Sequence, residues 1–335
     1  MAALPMPTNC PTLDAVDREI EARQDRSRRG YLGMSSIGKS CERALWLSFR
    51  WAFSTNFKAQ TLKLFDDGHR GEDIQAERLR LVPTIELLTH DEDGQQFGFS
   101  DFGGHFKGHM DGGIKGILQA PKTWHVWEHK QTAEKKQAKL EKLKAENEKA
   151  ALEQWDYIYF AQGILYMHYS GMTRHYLTAA SPGGRHTIAV RTNADDKVAI
   201  QLKTKAQRII KANTLPEGIS DSPAYYECKW CDYYMLCHGK AIPQVNCRTC
   251  VHSTPNIDGE GGEWTCARLG RAIDRSEQEA ACEYHLFIPA LLRNHAEAVD
   301  ADADTLKWVE YQRPDGSLFR TGFDGIKSFD LGAAL

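Results

Sequence analysis

Seven of the nine cysteines in this 335-residue chain fall between Cys228 and Cys282. That crowding limits the possible folds more than any other feature. A short, glycine-rich stretch cannot bury enough apolar surface to hold itself together, so it needs cross-links or metal. The opening residues lack the basic and apolar regions of a secretion signal, which places the chain in the cytoplasm, where thiols stay reduced. The spacings accordingly read as metal sites. Cys228, Cys231 and Cys237 form C-x2-C-x5-C, three thiolates without a local fourth, open to zinc or to an iron–sulfur cluster. Cys247, Cys250, Cys266 and Cys282 form C-x2-C followed by two single cysteines, and four thiolates suit tetrahedral Zn²⁺. His285 could replace one of them, and His252 is the weaker substitute. Cys10 is left as a free thiol.

Hydrophobic residues make up 41% of the chain and charged residues 26%, enough for a packed core. The longest apolar stretch, around residues 286–292, is far below the ~20 residues of a membrane-spanning helix, so no membrane partner is expected. Lys and Arg number 42 against 45 Asp and Glu. With no global basic field, any contact with nucleic acid must come from a local groove. The length suggests two units, 1–240 and a cysteine-rich tail, 241–335.

The first twelve residues carry three prolines and no periodicity. Apolar spacing then predicts helices over 13–29, 40–53 and 65–81, with His69 and Glu72 on one face of the third. Residues 106–111 and 124–130 read as adjacent strands of an antiparallel meander. The Lys/Glu/Ala-rich run 134–153 reads as a solvated helix, and 155–169 as a buried, aromatic one. Strands over 174–180 and 187–192, a helix over 194–213 and a hairpin over 308–322 complete the pattern. The class is α/β: a mixed central sheet flanked by helices, with a small metal-binding C-terminal region.

Residues 33–40, GMSSIGKS, match the phosphate-cradling loop G-x-x-x-x-G-K-[ST]. That loop needs a buried strand before it, and RQDRSRRGYL is not one. A Gly/Ser turn with Ser40 capping the next helix is the better reading, and a P-loop ATPase the weaker. Asp111, Glu128 and Lys130 carry more chemistry. Glu128 and Lys130 share a strand face, and Asp111 joins them if the two strands pair. Two carboxylates and a lysine suit phosphodiester hydrolysis assisted by Mg²⁺ or Mn²⁺. The plain alternative is a solvated strand end.

GHMDGG followed by WEHKQ resembles the PD-(D/E)XK nuclease superfamily. Its RecB-like branch adds a histidine on an upstream helix and Gln-x-x-x-Tyr on a following one. Here His69 in GHRGE and Gln162–Tyr166 in QGILY stand in that order. The resemblance implies a restriction-endonuclease-like core in which His69 or Glu72, Asp111, Glu128 and the carbonyl of His129 hold Mg²⁺ or Mn²⁺. Lys130 then assists the attacking water, while Gln162 and Tyr166 position DNA. It also implies a [4Fe–4S] cluster on Cys41, Cys228, Cys231 and Cys237, and the tail looks like those of bacteriophage-encoded exonucleases. No proline precedes Asp111, and the stretch from Lys130 to Gln162 is long for the family. The expected activity is a metal-dependent DNA exonuclease acting in recombination, repair or replication, with room for a single-strand annealing or recombination protein as partner. Its rivals are a non-catalytic iron–sulfur/zinc DNA-binding protein and an iron–sulfur electron carrier.

Overall fold

The computed structural model describes residues 10–335. Residues 1–9, most of the stretch read as irregular, lie outside the described residues. The longer helices are α1 (Pro11–Ala22), α2 (Glu42–Phe49), α3 (Ala59–Arg80), α4 (Glu134–Trp155), α5 (Tyr157–Ser170) and α6 (Asp196–Lys211). Among the described residues no helix is long and apolar enough to cross a membrane.

The strands of the first 200 residues are β1 (Leu32–Gly33), β2 (Glu86–Leu88), β3 (Gly98–Asp101), β4 (Phe106–His109), β5 (Gly112–Lys115), β6 (His125–Gln131), β7 (Arg174–Ala180) and β8 (Thr187–Asn193). Five of them form a mixed sheet in the order β2-β5-β6-β7-β8, parallel only between β6 and β7. Helix α3 covers one face, packing Ala76 with Leu87, Ile114 and Trp127. Helix α5 is buried from Phe160 to Met167 and belongs with Val126, Leu177 and Val190 to the larger core on the other face. This is the mixed, helix-flanked sheet that the sequence pattern predicts.

The expected pairing of 106–111 with 124–130 is not what forms. β4 pairs instead with β3 and β1 in a separate three-stranded sheet. The chain then changes sheets within two residues. Met110 N donates to Phe97 O in the first sheet (3.1 Å), Asp111 N donates to the Glu128 side chain (3.2 Å), and Gly112 pairs with Trp127 in the second. Gly112 permits the change, because a Cβ there would lie 2.6 Å from Leu88 O on β2.

The solvated helix over 134–153 is also corrected. Helix α4 breaks at Asn147 (φ −159°) and folds back, so that Trp155 Nε1 donates to Lys136 O across the bend (2.7 Å). Leu140, Ala151, Leu152 and Trp155 are buried along its inner side, while lysines and glutamates take the outer one. The return delivers the chain to Asp156, which accepts hydrogen bonds from Ile158 N and Tyr159 N and starts α5; Gly171, at φ 73°, ends it. Ser40 is not the cap of α2. Cys41 holds that position, and Ser40 Oγ donates to Glu227 (2.8 Å).

The tail adds two three-stranded sheets. The first is β9 (Ser253–Pro255), β10 (Trp264–Cys266) and β11 (Arg271–Ile273); the second is β12 (Glu297–Ala301), β13 (Trp308–Gln312) and β14 (Leu318–Gly322). The predicted hairpin is β13–β14, and β12 extends it by a strand that the sequence pattern did not suggest. Trp264, Phe287 and Leu292 share one core with Trp46 and Phe49. Arg50, 2% exposed, reaches across this junction. Its guanidinium donates to Ala212 O (2.8 Å) and Arg248 O (3.1 Å) and lies 5.2 Å from the ring centroids of Trp46 and Trp264.

Two fully buried histidines, His105 and His175, have their pKa values pushed down to about 4 and about 3, chiefly by burial. Such groups are neutral when folded but protonate in the unfolded chain below ~6.5. Their contribution to stability is therefore complete above that pH and is lost as pH falls towards 4. Thermal unfolding followed from pH 7 to 4.5 should show the midpoint dropping by on the order of 5–10 °C. His105→Gln should flatten part of that slope; an unchanged slope would show that His105 does not drive it.

Candidate active site

Asp111 stands opposite Glu128, because the β5–β6 register that pairs Gly112 with Trp127 continues one step to them. Both lie on the face of the sheet that α5 covers, as does Lys130. Glu128 is 1% exposed. Its Oε1 accepts from Asp111 N, and its Oε2 accepts from Lys130 Nζ at 2.7 Å. Asp111 Oδ2 accepts from His129 N at 2.8 Å and lies 3.7 Å from Lys130 Nζ. The three side chains meet although the predicted strand pairing is wrong, because Asp111 occupies the crossing point between the sheets.

The electrostatics follow from that crowding. Burial, with the Asp111 carboxylate next to it, raises the Glu128 carboxyl far above the usual range. Lys130 is also raised, since its own desolvation is outweighed by its two carboxylate neighbours, which hold it as an ammonium. Glu72, on α3, belongs to the same field: burial and then Asp111 lift it to about 7, with Lys130 opposing. Gly71 lets α3 come this close, because a Cβ at 71 would overlap the Gln131 side chain. His69 sits one turn earlier on α3 and is exposed. Of the two upstream candidates, Glu72 is the one that lies in the field of Asp111 and Lys130.

His129 presents its backbone, not its ring, to Asp111. The ring faces the other way, with Nδ1 3.0 Å from Thr178 Oγ1. On α5, Gln162 Nε2 donates to the Tyr166 hydroxyl (3.2 Å), and both residues are buried. Burial and then the charge of Glu128 push the Tyr166 hydroxyl up, so the Gln162–Tyr166 pair stands within the field of the carboxylates. Tyr159 was not expected from the sequence: its ring centroid lies 5.5 Å from Lys130 Nζ. Its place one turn before Gln162 on the same helix was the available signal.

The cysteines gather as two sets. Cys41, Cys228, Cys231 and Cys237 line one small cavity, and none of the nine cysteines forms a disulfide. In the tail, burial and the neighbouring Cys250, Cys282 and Cys266 push the Cys247 thiol up to about 12, and Cys250 rises to about 11. Among the described residues, no group of three or more His, Cys, Asp or Glu side chains stands arranged to hold a metal ion. The donor chemistry nevertheless fits. Buried carboxylate oxygens are the donors a hard dication takes, and cysteine thiols are those zinc or iron takes. The P-loop match does not fit: a Cβ on Gly38 would lie 2.6 Å from Ile158 Cα, and Lys205 Nζ donates to Ile37 O (2.9 Å). That turn is packed against α5 and held by α6, and the strand before it, β1, is only two residues long.

The sequence matches no family model and no curated protein. Several solved structures are similar over part of the chain. One is SSO0001, at 11% identity and a TM-score of 0.39, covering 69% of this chain and 98% of that one. Another is an alkaline exonuclease from Laribacter hongkongensis, at 14% and 0.34, covering 57% and 90%. A third is a phage-related exonuclease from Haemophilus somnus 129PT, at 13% and 0.34, covering 58% and 83%.

Removing Lys130 should leave Asp111 and Glu128 facing each other without a cation. Lys130→Met is expected to destabilise the metal-free protein by about 3–5 kcal/mol, read by denaturant unfolding. Adding Glu128→Gln to it should recover most of the loss. Equal stability of Lys130→Met and the parent would show that the ammonium does not balance these charges.

Proposed function

We propose that this chain is a metal-dependent nuclease that hydrolyses DNA phosphodiester bonds from an end. The observation that carries this reading is the meeting of Asp111, Glu128 and Lys130 on one sheet face, with Glu72 drawn into the same field. Asp111, Glu128 and Glu72, with the carbonyl of His129, would hold Mg²⁺ or Mn²⁺. Bound there, the ion lowers the pKa of a water and polarises the phosphate.

The chain's own groups account for the rest. Lys130 is held as an ammonium by its hydrogen bond to Glu128, so it donates to the attacking oxygen or to the phosphate and does not act as a base. The Tyr159 ring beside it limits where that ammonium can go. Gln162 and Tyr166, bonded to each other, line the side of the site towards α5 and position the strand being cut. The buried Glu128 excludes water from the floor of the site, which strengthens each of these interactions.

In the same reading Cys41, Cys228, Cys231 and Cys237 carry a [4Fe–4S] cluster that ties residue 41 to residues 228–237. Cys247, Cys250, Cys266 and Cys282 carry Zn²⁺, and both groups serve structure. The convergence of each set of thiols supports this assignment. Anaerobically purified protein should contain about four irons and one zinc per chain by elemental analysis. Cys231→Ser should lose the iron and keep the zinc, and Cys266→Ser the reverse. Zinc in both sets would replace the cluster assignment.

The activity is tested with end-labelled linear DNA and closed circles in Mn²⁺. Label should be released from the linear form only, and Asp111→Ala should lower the rate by ~10³-fold or more, since it removes a carboxylate from the ion. Cleavage of circles would make the protein an endonuclease. Iron and zinc without cleavage of either substrate would leave a DNA-binding protein.

A further inference from the structure

Beyond Asp111, on the α5 face of the sheet, a side chain is missing. Gly113 lies two residues along, roughly 7 Å away, paired with Val126 on β6 and Leu88 on β2. A Cβ at this position would meet only Met172 and Trp124, at 3.4–3.7 Å, so a larger residue would fit the backbone. With glycine there, a cleft of about 540 Å³ opens at the junction of the two sheets, in the range of small-ligand sites (~300–1,000 Å³). Its walls are mostly apolar, with the aromatic rings of Phe97, Phe99 and Trp124 and the thioether of Met172, and Asp91 and Ser170 are their polar members.

The cleft opens beside the site, although Asp111, Glu128 and Lys130 are not on its lining. Met110 precedes Asp111, Gly113 follows it by two residues, and the Phe99 ring lies 5.7 Å from that of Tyr166, which stands in the field of Glu128. At the far end, the Lys115 ammonium sits 5.7 Å from the Trp124 ring centroid. An occupant therefore has an apolar, planar body in the cleft, an anionic group at the carboxylate end and a second anion towards Lys115. A nucleotide within a strand has that form.

We propose that this cleft takes an unpaired nucleobase of the strand whose phosphate lies at Asp111 and Glu128. The inference rests on the nuclease reading and adds a substrate class, single-stranded or frayed ends, because a paired base would first have to be unstacked and unpaired, at a cost of a few kcal/mol. Recognition by aromatic and thioether surfaces is tolerant of base identity, so little sequence preference follows.

The test is binding of a short single-stranded oligodeoxynucleotide in Ca²⁺, read by fluorescence anisotropy. It is compared with forms carrying an abasic residue at the 5′ or the 3′ terminal position. For the parent protein, removing the base at one end should weaken binding about tenfold or more. Gly113→Val, which fills the cleft, should bind the intact strand that much more weakly and no longer distinguish it from the abasic one. Trp124→Ala should act in the same direction. Equal binding of intact and abasic strands by the parent overturns the subsite, as does undiminished discrimination by folded Gly113→Val. Base-dependent binding without cleavage in Mn²⁺ would sink the nuclease reading and keep the subsite. Cleavage with no dependence on the terminal base would do the opposite.

Discussion

The structure depends on a change of partner at Asp111. Up to Met110 the chain is hydrogen-bonded within one sheet, and from Gly112 it belongs to another. The residue between has no strand neighbour of its own, and the Glu128 side chain takes its N–H. An aspartate there is exposed to two sheets and committed to neither, so its carboxylate can face Glu128 and Lys130 without breaking a ladder. A regular strand running through the same position would have used that N–H and pointed the next residues elsewhere.

Much of this architecture could be read in the sequence where a local signal was strong. The Gly-bounded run TWHVWEHKQ, the aromatic spacing of 155–169, the apolar spacing of 194–213 and the turn at Pro314-Asp315-Gly316 place β6, α5, α6 and the last hairpin close to where they stand. What was not legible depended on distant partners. Nothing between Phe106 and Lys115 announces that the run divides between two sheets, since periodicity is blind to which neighbour a strand will find. The Lys/Glu-rich segment looked uniformly polar because its few buried residues, Leu140, Leu152 and Trp155, are spread over two antiparallel halves. The face that His69 and Glu72 share is real at helical spacing, but one turn separates an exposed side chain from a partly buried one in the field of Asp111.

The tail illustrates a different limit. Its glycines and cysteines suggest a separate appendage, yet Arg50 and Arg248 are buried at its junction with the rest. Arg248 donates to Phe49 O and stacks 3.6 Å from the centre of the Trp51 ring, far from any carboxylate hydrogen-bonded to it. Carbonyls and aromatic faces hold both guanidiniums, although Arg50 Nε has no hydrogen-bond partner among the described residues. Such contacts leave no mark in a composition, because they use backbone oxygens and rings that any segment could supply.

The fold-back at Asn147 separates two distances usually treated as one. Lys130 and Gln162 are thirty-two positions apart in the sequence, but the inserted segment leaves and returns to nearly the same place, as the Trp155–Lys136 contact shows. To the site it is a closed detour. Its halves could grow or shrink together by whole helical turns, outward into solvent, while the lysine and the glutamine kept their relation. Spacing along the chain at this point measures the length of an excursion and carries no information about the catalytic geometry.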